Sequence, residues 1–395
     1  MNPEFSIGSI VLILLVASIV AMASRRIKLP YSVGLVLAGA GVSYLPAAVN
    51  IPLTRELIFS VFLPPLIFEA ALQLHWTPFR RDLPLNGILA FVGVAIAAVA
   101  VAAGMHVIVG WTWMGAALFG VLISATDPVS VIAAFKELRV ERRLQGIVES
   151  ESLLNDGAAA VGFALLVAIA GGSSPSPLEV AGSLVWTIAG GVIIGLAVAS
   201  AALLLSGRTQ DHLVEITLTT VVAYGSFLLA ERLHASGVLA TLAAGLLIGN
   251  RGQAAISAVG RGHVMSFWEY VAFLANSFVF MLIGEQEAHT GGQLLTVAAA
   301  VAIGLVLIGR ILAVYPLCAL FARSSLAIDA RYQHVLVWGG LRGALALALV
   351  LALPETVPER NEIVVVAFAV VAFSVIVQGL SMPWLVRKLA LIADE

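Results

Sequence analysis

The chain has 395 residues, of which 61% are hydrophobic and only 11% charged, whereas an ordinary soluble domain carries about 25% charged residues. That balance excludes a soluble globular enzyme, and a net charge of −2 without a basic tract gives no reason to expect nucleic acid as a partner. The single cysteine, Cys318, excludes an intramolecular disulfide and a multi-thiolate metal site. The apolar residues come in blocks near twenty long, the length that crosses about 30 Å of hydrocarbon. The fold class expected is therefore an all-α polytopic membrane protein embedded in a lipid bilayer.

The first block, 6–23, ends in Ala21-Met22-Ala23, superficially a signal-peptidase site, but Glu4 precedes it and the basic cluster Arg25, Arg26 and Lys28 follows it. That order suits a retained first span with its N-terminus outside. Breaks at charged or Pro/Gly/Ser-rich connectors give about thirteen spans, beginning near Ser6, Pro30, Thr54, Leu85, Thr112, Glu149, Val180, His212, Ala235, Ser266, Gly292, Ala330 and Arg360. Connectors after odd-numbered spans, with the C-terminal tail, hold sixteen of the 21 Lys and Arg, and those after even-numbered spans hold three. The excess marks the cytoplasmic side, so the C-terminus is expected there, in a short tail over 389–395 with no room for a regulatory domain. No GxxxxGK[ST] occurs, so no nucleotide partner is expected, and nothing calls for a cofactor.

Ionisable residues inside spans are costly and mark functional positions. The third span carries Leu63-Pro64-Pro65-Leu66-Ile67-Phe68-Glu69, its proline pair distorting the helix near Glu69. The fifth contains Ser124-Ala125-Thr126-Asp127-Pro128-Val129. Pro128 has no N–H and clashes with the carbonyl of Ser124, so the helix breaks in mid-membrane and exposes backbone carbonyls. Asp127 followed by Pro128 reads as the cap and first residue of a new half-helix. The bland reading of the same pair is a tolerated kink with a capping Asp.

The sixth span opens Glu149-Ser150-Glu151-Ser152-Leu153-Leu154-Asn155-Asp156. Glu149, Ser152 and Asp156 share one helix face, with Glu151 and Asn155 on the adjacent stripe. Carboxylate, hydroxyl and freed carbonyl oxygens suit a small hard cation. Glu149 is expected at the cytoplasmic mouth, as a funnel or simply as a solvated helix-start carboxylate. A bare carboxylate at Asp156 is costly in low dielectric, so proton and cation compete for it. With Asn155 and not a second Asp beside it, either loaded form carries the same charge, which argues for electroneutral 1:1 exchange, with Glu69 as the possible second titrating group.

Arg310 in the eleventh span has no carboxylate one turn away, so its partner comes from another helix, Glu151 or Asp127, with Glu151 favoured. In the twelfth span Trp338-Gly339-Gly340-Leu341-Arg342-Gly343-Ala344 places three glycines around an arginine and suggests a second interruption, with Arg342 answering helix C-terminal carbonyls where Asp127 answers N-terminal amides. The breaks in spans five and twelve are seven spans apart, an offset that inverts topology and implies inverted repeats. GxxxG pairs at Gly191/Gly195, Gly245/Gly249 and Gly339/Gly343 occur about as often as chance allows and locate no dimer interface.

Taken in order, the motifs around Asp127 and Asp156, Phe62-Leu63-Pro64-Pro65 with Glu69, Phe267-Trp268-Glu269 with Phe273-Leu274-Ala275-Asn276, and Gly339-Gly340-Leu341-Arg342-Gly343-Ala344 resemble the monovalent cation/proton antiporters of the NhaP and eukaryotic sodium/proton exchanger family. The resemblance implies the sodium/proton antiporter fold with two interrupted helices. It implies a homodimer in the cytoplasmic membrane, and a core that moves like an elevator against a dimerisation part. These parts fall near 85–170 with 266–388, and near 1–84 with 180–265. It implies Asp156, Ser152, Glu69 and the Thr126 backbone as ligands of the transported Na+ or Li+, Asn155 and Asp127 as residues that shape the site, and Glu151, Arg310 and Arg342 as stabilising charges. The short tail departs from eukaryotic members and suits a prokaryotic protein. Readings kept beside it are a K+/H+ or organic-cation/H+ antiporter, a cation channel, and an intramembrane enzyme, for which no catalytic constellation appears.

Overall fold

The computed structural model describes residues 7–27, 29–43, 56–172, 176–207, 209–252, 256–290 and 296–392. In chain order the helices are α1 (Ile7–Ile27), α2 (Tyr31–Val42), α3 (Leu63–Gln73), α4 (Trp76–Gly104), α5 (Trp113–Leu122), α6 (Val129–Leu138), α7 (Arg142–Ala170), α8 (Pro177–Val185), α9 (Gly191–Ser206), α10 (His212–Arg232), α11 (Gly237–Arg251), α12 (Ala258–Thr290), α13 (Val297–Leu320), α14 (Ala330–Trp338), α15 (Ala344–Leu351), α16 (Arg360–Phe373) and α17 (Gly379–Lys388). Wider π turns precede α3, extend α4, and join α8 to α9 and α16 to α17. Among the described residues eight helical runs are long and apolar enough to cross a membrane, and four shorter apolar helices accompany them. The chain is a multi-pass helical membrane protein.

Several starts read from the sequence coincide with side-chain caps, because a polar residue at a helix mouth satisfies amides that lack an intrahelical partner. Thr112 accepts from Gly115 N at 3.2 Å, Asp211 from Leu213 N at 2.9 Å, Ser236 from Leu239 N at 3.2 Å and Asp329 from Arg331 N at 2.9 Å. Three starts differ. Helices α4, α7 and α12 begin at Trp76, Arg142 and Ala258, well before the expected Leu85, Glu149 and Ser266. Hydropathy marks where the apolar stretch begins, whereas the backbone hydrogen-bond ladder runs on through polar turns. The expected cuts at 84/85 and 265/266 therefore fall inside continuous helices. The starts expected at Ser6, Thr54 and Gly292, and tail residues 393–395, lie outside the described residues.

The helices pack in two groups. In one, α2 lies along α12, α3 packs on α11 and α12, and α9, α10 and α11 pack on one another. In the other, α4 packs on α5, α7 and α13, and α13 on α14 and α16. Glycines set the closest approaches. Gly284 of α12 abuts the Val36 carbonyl of α2, and Gly39 of α2 abuts the Met281 carbonyl of α12. Gly245 and Gly249 face Phe68, Ala71 and Leu72 of α3, and Gly191 and Gly195 face Ser236 and Ala240. Two of the GxxxG pairs thus serve close packing within the chain.

A methyl group at Gly284 has no space against the α2 backbone, and overpacking of this kind costs about 1–3 kcal/mol. Gly284→Ala is expected to lower the thermal unfolding temperature in detergent. Gly87→Ala, on α4 with open space around it, should leave that temperature unchanged or slightly raised. Equal stability of the two variants would remove the close α2/α12 contact from the account.

Candidate functional site

The fifth span breaks where the proline demands. Helix α5 ends at Leu122 and α6 begins at Val129, leaving 123–128 outside both helices around Pro128. The freed carbonyls of Ser124 and Ala125 accept from Arg342 Nη1 at 2.8 and 3.1 Å. Thr126 N donates to Asn155 Oδ1 at 3.1 Å, and Asp127 N donates to the Leu341 carbonyl at 2.7 Å. Asp127 Oδ1 caps α6 by accepting from Val129 N at 2.9 Å.

The twelfth span is interrupted between Trp338 and Ala344. Gly343 lies so close to the Asp127 carboxylate that any Cβ there would collide with it, and Gly340 sits against Arg310 Nε. The two unwound stretches therefore cross. The N-termini of α6 and α15 meet the Asp127 carboxylate, and the C-termini of α5 and α14 meet Arg342 and Arg310. Partial positive charge at helix N-termini and partial negative charge at C-termini explain the sign of each partner.

Arg310 pairs with Glu151, Nη1 to Oε1 at 2.8 Å, and its Nη2 donates to the Leu336 carbonyl at the end of α14 at 2.7 Å. Both side chains are buried. Asn155 is committed as well: its Nδ2 donates to Thr126 Oγ1 at 2.6 Å and to Glu151 Oε1 at 3.2 Å.

Beside the crossing lies a cavity of about 90 Å³, roomy enough for a small ion and a few waters. Its polar lining is Glu69 from α3, Thr126 and Asp127 from the first interruption, Asp156 from α7 and Asn276 from α12, set among Leu63, Leu66, Ile67, Leu153 and Leu345. Glu69 accepts a hydrogen bond from Gln73 one turn on. The Asp156 carboxylate accepts no hydrogen bond among the described residues. A larger cavity of about 450 Å³ lies further along α7 and α15 and contains neither Asp156 nor Glu69.

The structure brings Asp156, Glu69, Thr126 and Asp127 to one cavity. Ser152 does not line it. Its hydroxyl donates to the Thr126 carbonyl and it borders a smaller cavity of about 10 Å³ shared with Glu151 and Arg310. Glu149 is half-buried on α7 and borders neither space. Three participants escaped sequence reasoning. Asn276 was read only as part of a family motif, Gln73 is the i+4 neighbour of Glu69, and Ser374 accepts from Arg342 N at 3.0 Å. Polar residues within an apolar span, Asn276 with Ser277 and the lone Ser374, were the available signal.

Removing Arg310 leaves Glu151 charged and buried without its partner, a loss of about 3–5 kcal/mol. Arg310→Ala is expected to unfold at markedly lower temperature in detergent and to express poorly, and Glu151→Gln combined with Arg310→Met to recover part of that loss. A normally stable Arg310→Ala protein would refute the strut.

The chain is similar in sequence and in fold to known proteins. The family model described as "Sodium/hydrogen exchanger, transmembrane" matches residues 11–388. The chain is 39% identical over 388 residues to the Na(+)/H(+) antiporter NhaS2 of Synechocystis, covering 98% of this chain and 71% of that protein. It is 38% identical to the Na(+)/H(+) antiporter ApNhaP of Aphanothece halophytica, covering 96% and 73%, and 35% identical to the Na(+)/H(+) antiporter NhaP of Pseudomonas aeruginosa, covering 85% and 81%. In fold it is similar to the sodium proton antiporter MjNhaP1 of Methanocaldococcus jannaschii at pH 8, with a TM-score of 0.74, 20% identity, and coverage of 98% of this chain and 99% of that one.

Proposed function

We propose how this chain, which belongs to the sodium/hydrogen exchanger family, exchanges Na+ for H+: cation and proton compete for one carboxylate, Asp156. The observation that carries this reading is that Asp156 lines the cavity with no hydrogen-bond donor satisfying it among the described residues, while the other charges at the crossing have partners. Desolvation disfavours the bare carboxylate, so the site rests loaded with one cation or one proton. Hard oxygen ligands from Glu69, the Thr126 backbone and Asp156 replace part of the hydration shell of Na+ or Li+. Ser152 joins them when its hydroxyl turns from the Thr126 carbonyl.

Because Glu151 is neutralised by Arg310, the loaded site carries the same charge with either substrate, and exchange is electroneutral and 1:1. The helices of the crossing, with α4, α7 and α13, move as an elevator core against α1–α3 and α9–α12. In this division α12 joins the stationary group, because it packs along α2 and α3. A homodimer through the stationary group, the N-terminus outside and the C-terminus in the cytoplasm complete the reading, with Glu149 drawing cations toward the inner mouth. The chain acts as a carrier and no bond of its substrates is broken.

The direction of competition fixes a pH dependence. A proton on Asp156 excludes the cation, so the apparent KM for Na+ rises as pH falls, while the rate at saturating Na+ changes less. Proteoliposomes given a Na+ gradient, with membrane potential clamped at zero and then at a negative value, test this together with Asp156→Asn. Saturable proton movement that is insensitive to voltage and absent in Asp156→Asn is the expected result. Retained exchange in Asp156→Asn would overturn the assignment, and voltage-dependent rates would show that the loaded forms differ in charge and overturn the electroneutral stoichiometry. A response to K+ and none to Na+ would move the substrate to the larger ion.

A further inference from the structure

Asn276 is a polar side chain of the cavity that the competition at Asp156 does not use. It lies in α12 within Phe273-Leu274-Ala275-Asn276-Ser277-Phe278-Val279-Phe280, and it borders the cavity with Glu69 and Asp156. Its carboxamide makes no hydrogen bond among the described residues. The residue is half-buried; because an amide fully withdrawn from water without a partner costs about 1–3 kcal/mol, an apolar span holds one at little loss where water or a ligand meets it. Among the residues lining this cavity Asn276 is the one carboxamide, and it offers a neutral carbonyl oxygen, a hard ligand suited to Na+ or Li+.

Its position is fixed from several sides. The next residue, Ser277, is hydrogen-bonded to the Tyr31 hydroxyl of α2 at 2.7 Å, and the Tyr31 ring stacks on Phe273 with centroids 5.3 Å apart. Phe278 stacks on Phe62, and Trp268 packs on Phe68, next to Glu69 in sequence. Glycine contacts on α2 and α12 hold the two backbones together further along. Asn276 and Glu69 are thus carried by one interlocked group of helices, whereas Asp156 and Thr126 are carried by the other.

We infer that the Asn276 carboxamide oxygen is a cation ligand supplied across the boundary between the two helix groups, and that it sets affinity and Na+/Li+ preference in the state where Asp156 faces it. This rests on the assignment of Asp156 as the exchanging carboxylate. A proton on Asp156 needs no such ligand, so Asn276 favours the cation in the competition without adding charge to it.

The test is cation-dependent exchange in proteoliposomes at one fixed pH, with Asn276→Leu, Asn276→Ala and Asn276→Ser beside wild type, and with Na+ binding to each purified protein followed by calorimetry. Asn276→Leu is expected to raise the KM for Na+ about tenfold and to weaken Na+ binding in parallel, with the loss sitting in KM and not in kcat. Asn276→Ser keeps an oxygen on a shorter arm and should give an intermediate KM and an altered Li+/Na+ ratio. If Asn276→Leu does not fold, Asn276→Ala and Asn276→Ser, both smaller than the native residue, decide the matter. KM values and Li+/Na+ ratios within twofold of wild type in the folded variants, or a fall in kcat at unchanged KM, overturn the inference. Failure of the Asp156 assignment would appear separately, as exchange surviving in Asp156→Asn.

Discussion

The structure depends on one constraint: backbone amides and carbonyls released inside a membrane must find partners within the protein. Two helices are interrupted, and each interruption releases both kinds of group. The chain answers by crossing the interruptions, so that Arg342 from one span serves the Ser124 and Ala125 carbonyls of the other, and the Leu341 carbonyl receives Asp127 N. Neither broken helix would be tolerable without the other. The glycines of the twelfth span follow from the same requirement, since Gly343 makes room for the Asp127 carboxylate and Gly340 for the Arg310 guanidinium.

That arrangement assigns most charges before any substrate arrives. Glu151 is paired with Arg310, Asp127 caps α6, and Arg342 holds carbonyls. Asn155, beside Asp156 in sequence, spends its carboxamide on Thr126 and Glu151 and so ties the helix that carries Asp156 to the broken span. Among the described residues Asp156 receives no hydrogen bond, and it borders the cavity of about 90 Å³. The rigid frame and the unbonded Asp156 carboxylate both follow from how the helix ends are satisfied.

The breaks themselves were legible in the sequence, because Pro128 after Asp127 and three glycines around Arg342 are local signals with a steric cause. The periodicity of α7 was legible too, since 100° per residue separates the Asp156 face from the stripe of Glu151 and Asn155. Contacts between distant spans were not. Nothing local says that Ser374 holds the peptide of Arg342, that Ser152 turns toward the Thr126 carbonyl, or that α12 lies along α2. Helix starts at Trp76, Arg142 and Ala258 were missed for a different reason: hydropathy reports the edge of the hydrocarbon, and helices extend beyond it.

A cavity built from two helix groups has a consequence for transport that a site inside one group would lack. If Glu69 and Asn276 stay with the stationary helices while Asp156 and Thr126 travel, a cation is held by more oxygens in one position of the core than in the other. A proton on Asp156 is held by one covalent bond in every position. Movement of the core then changes cation affinity more than proton affinity, while exchange itself still comes from competition for Asp156 and is driven by the two gradients. Any such difference in affinity must be supplied by the conformational equilibrium of the core itself, since a ligand shifts an equilibrium only by its differential binding to the two states.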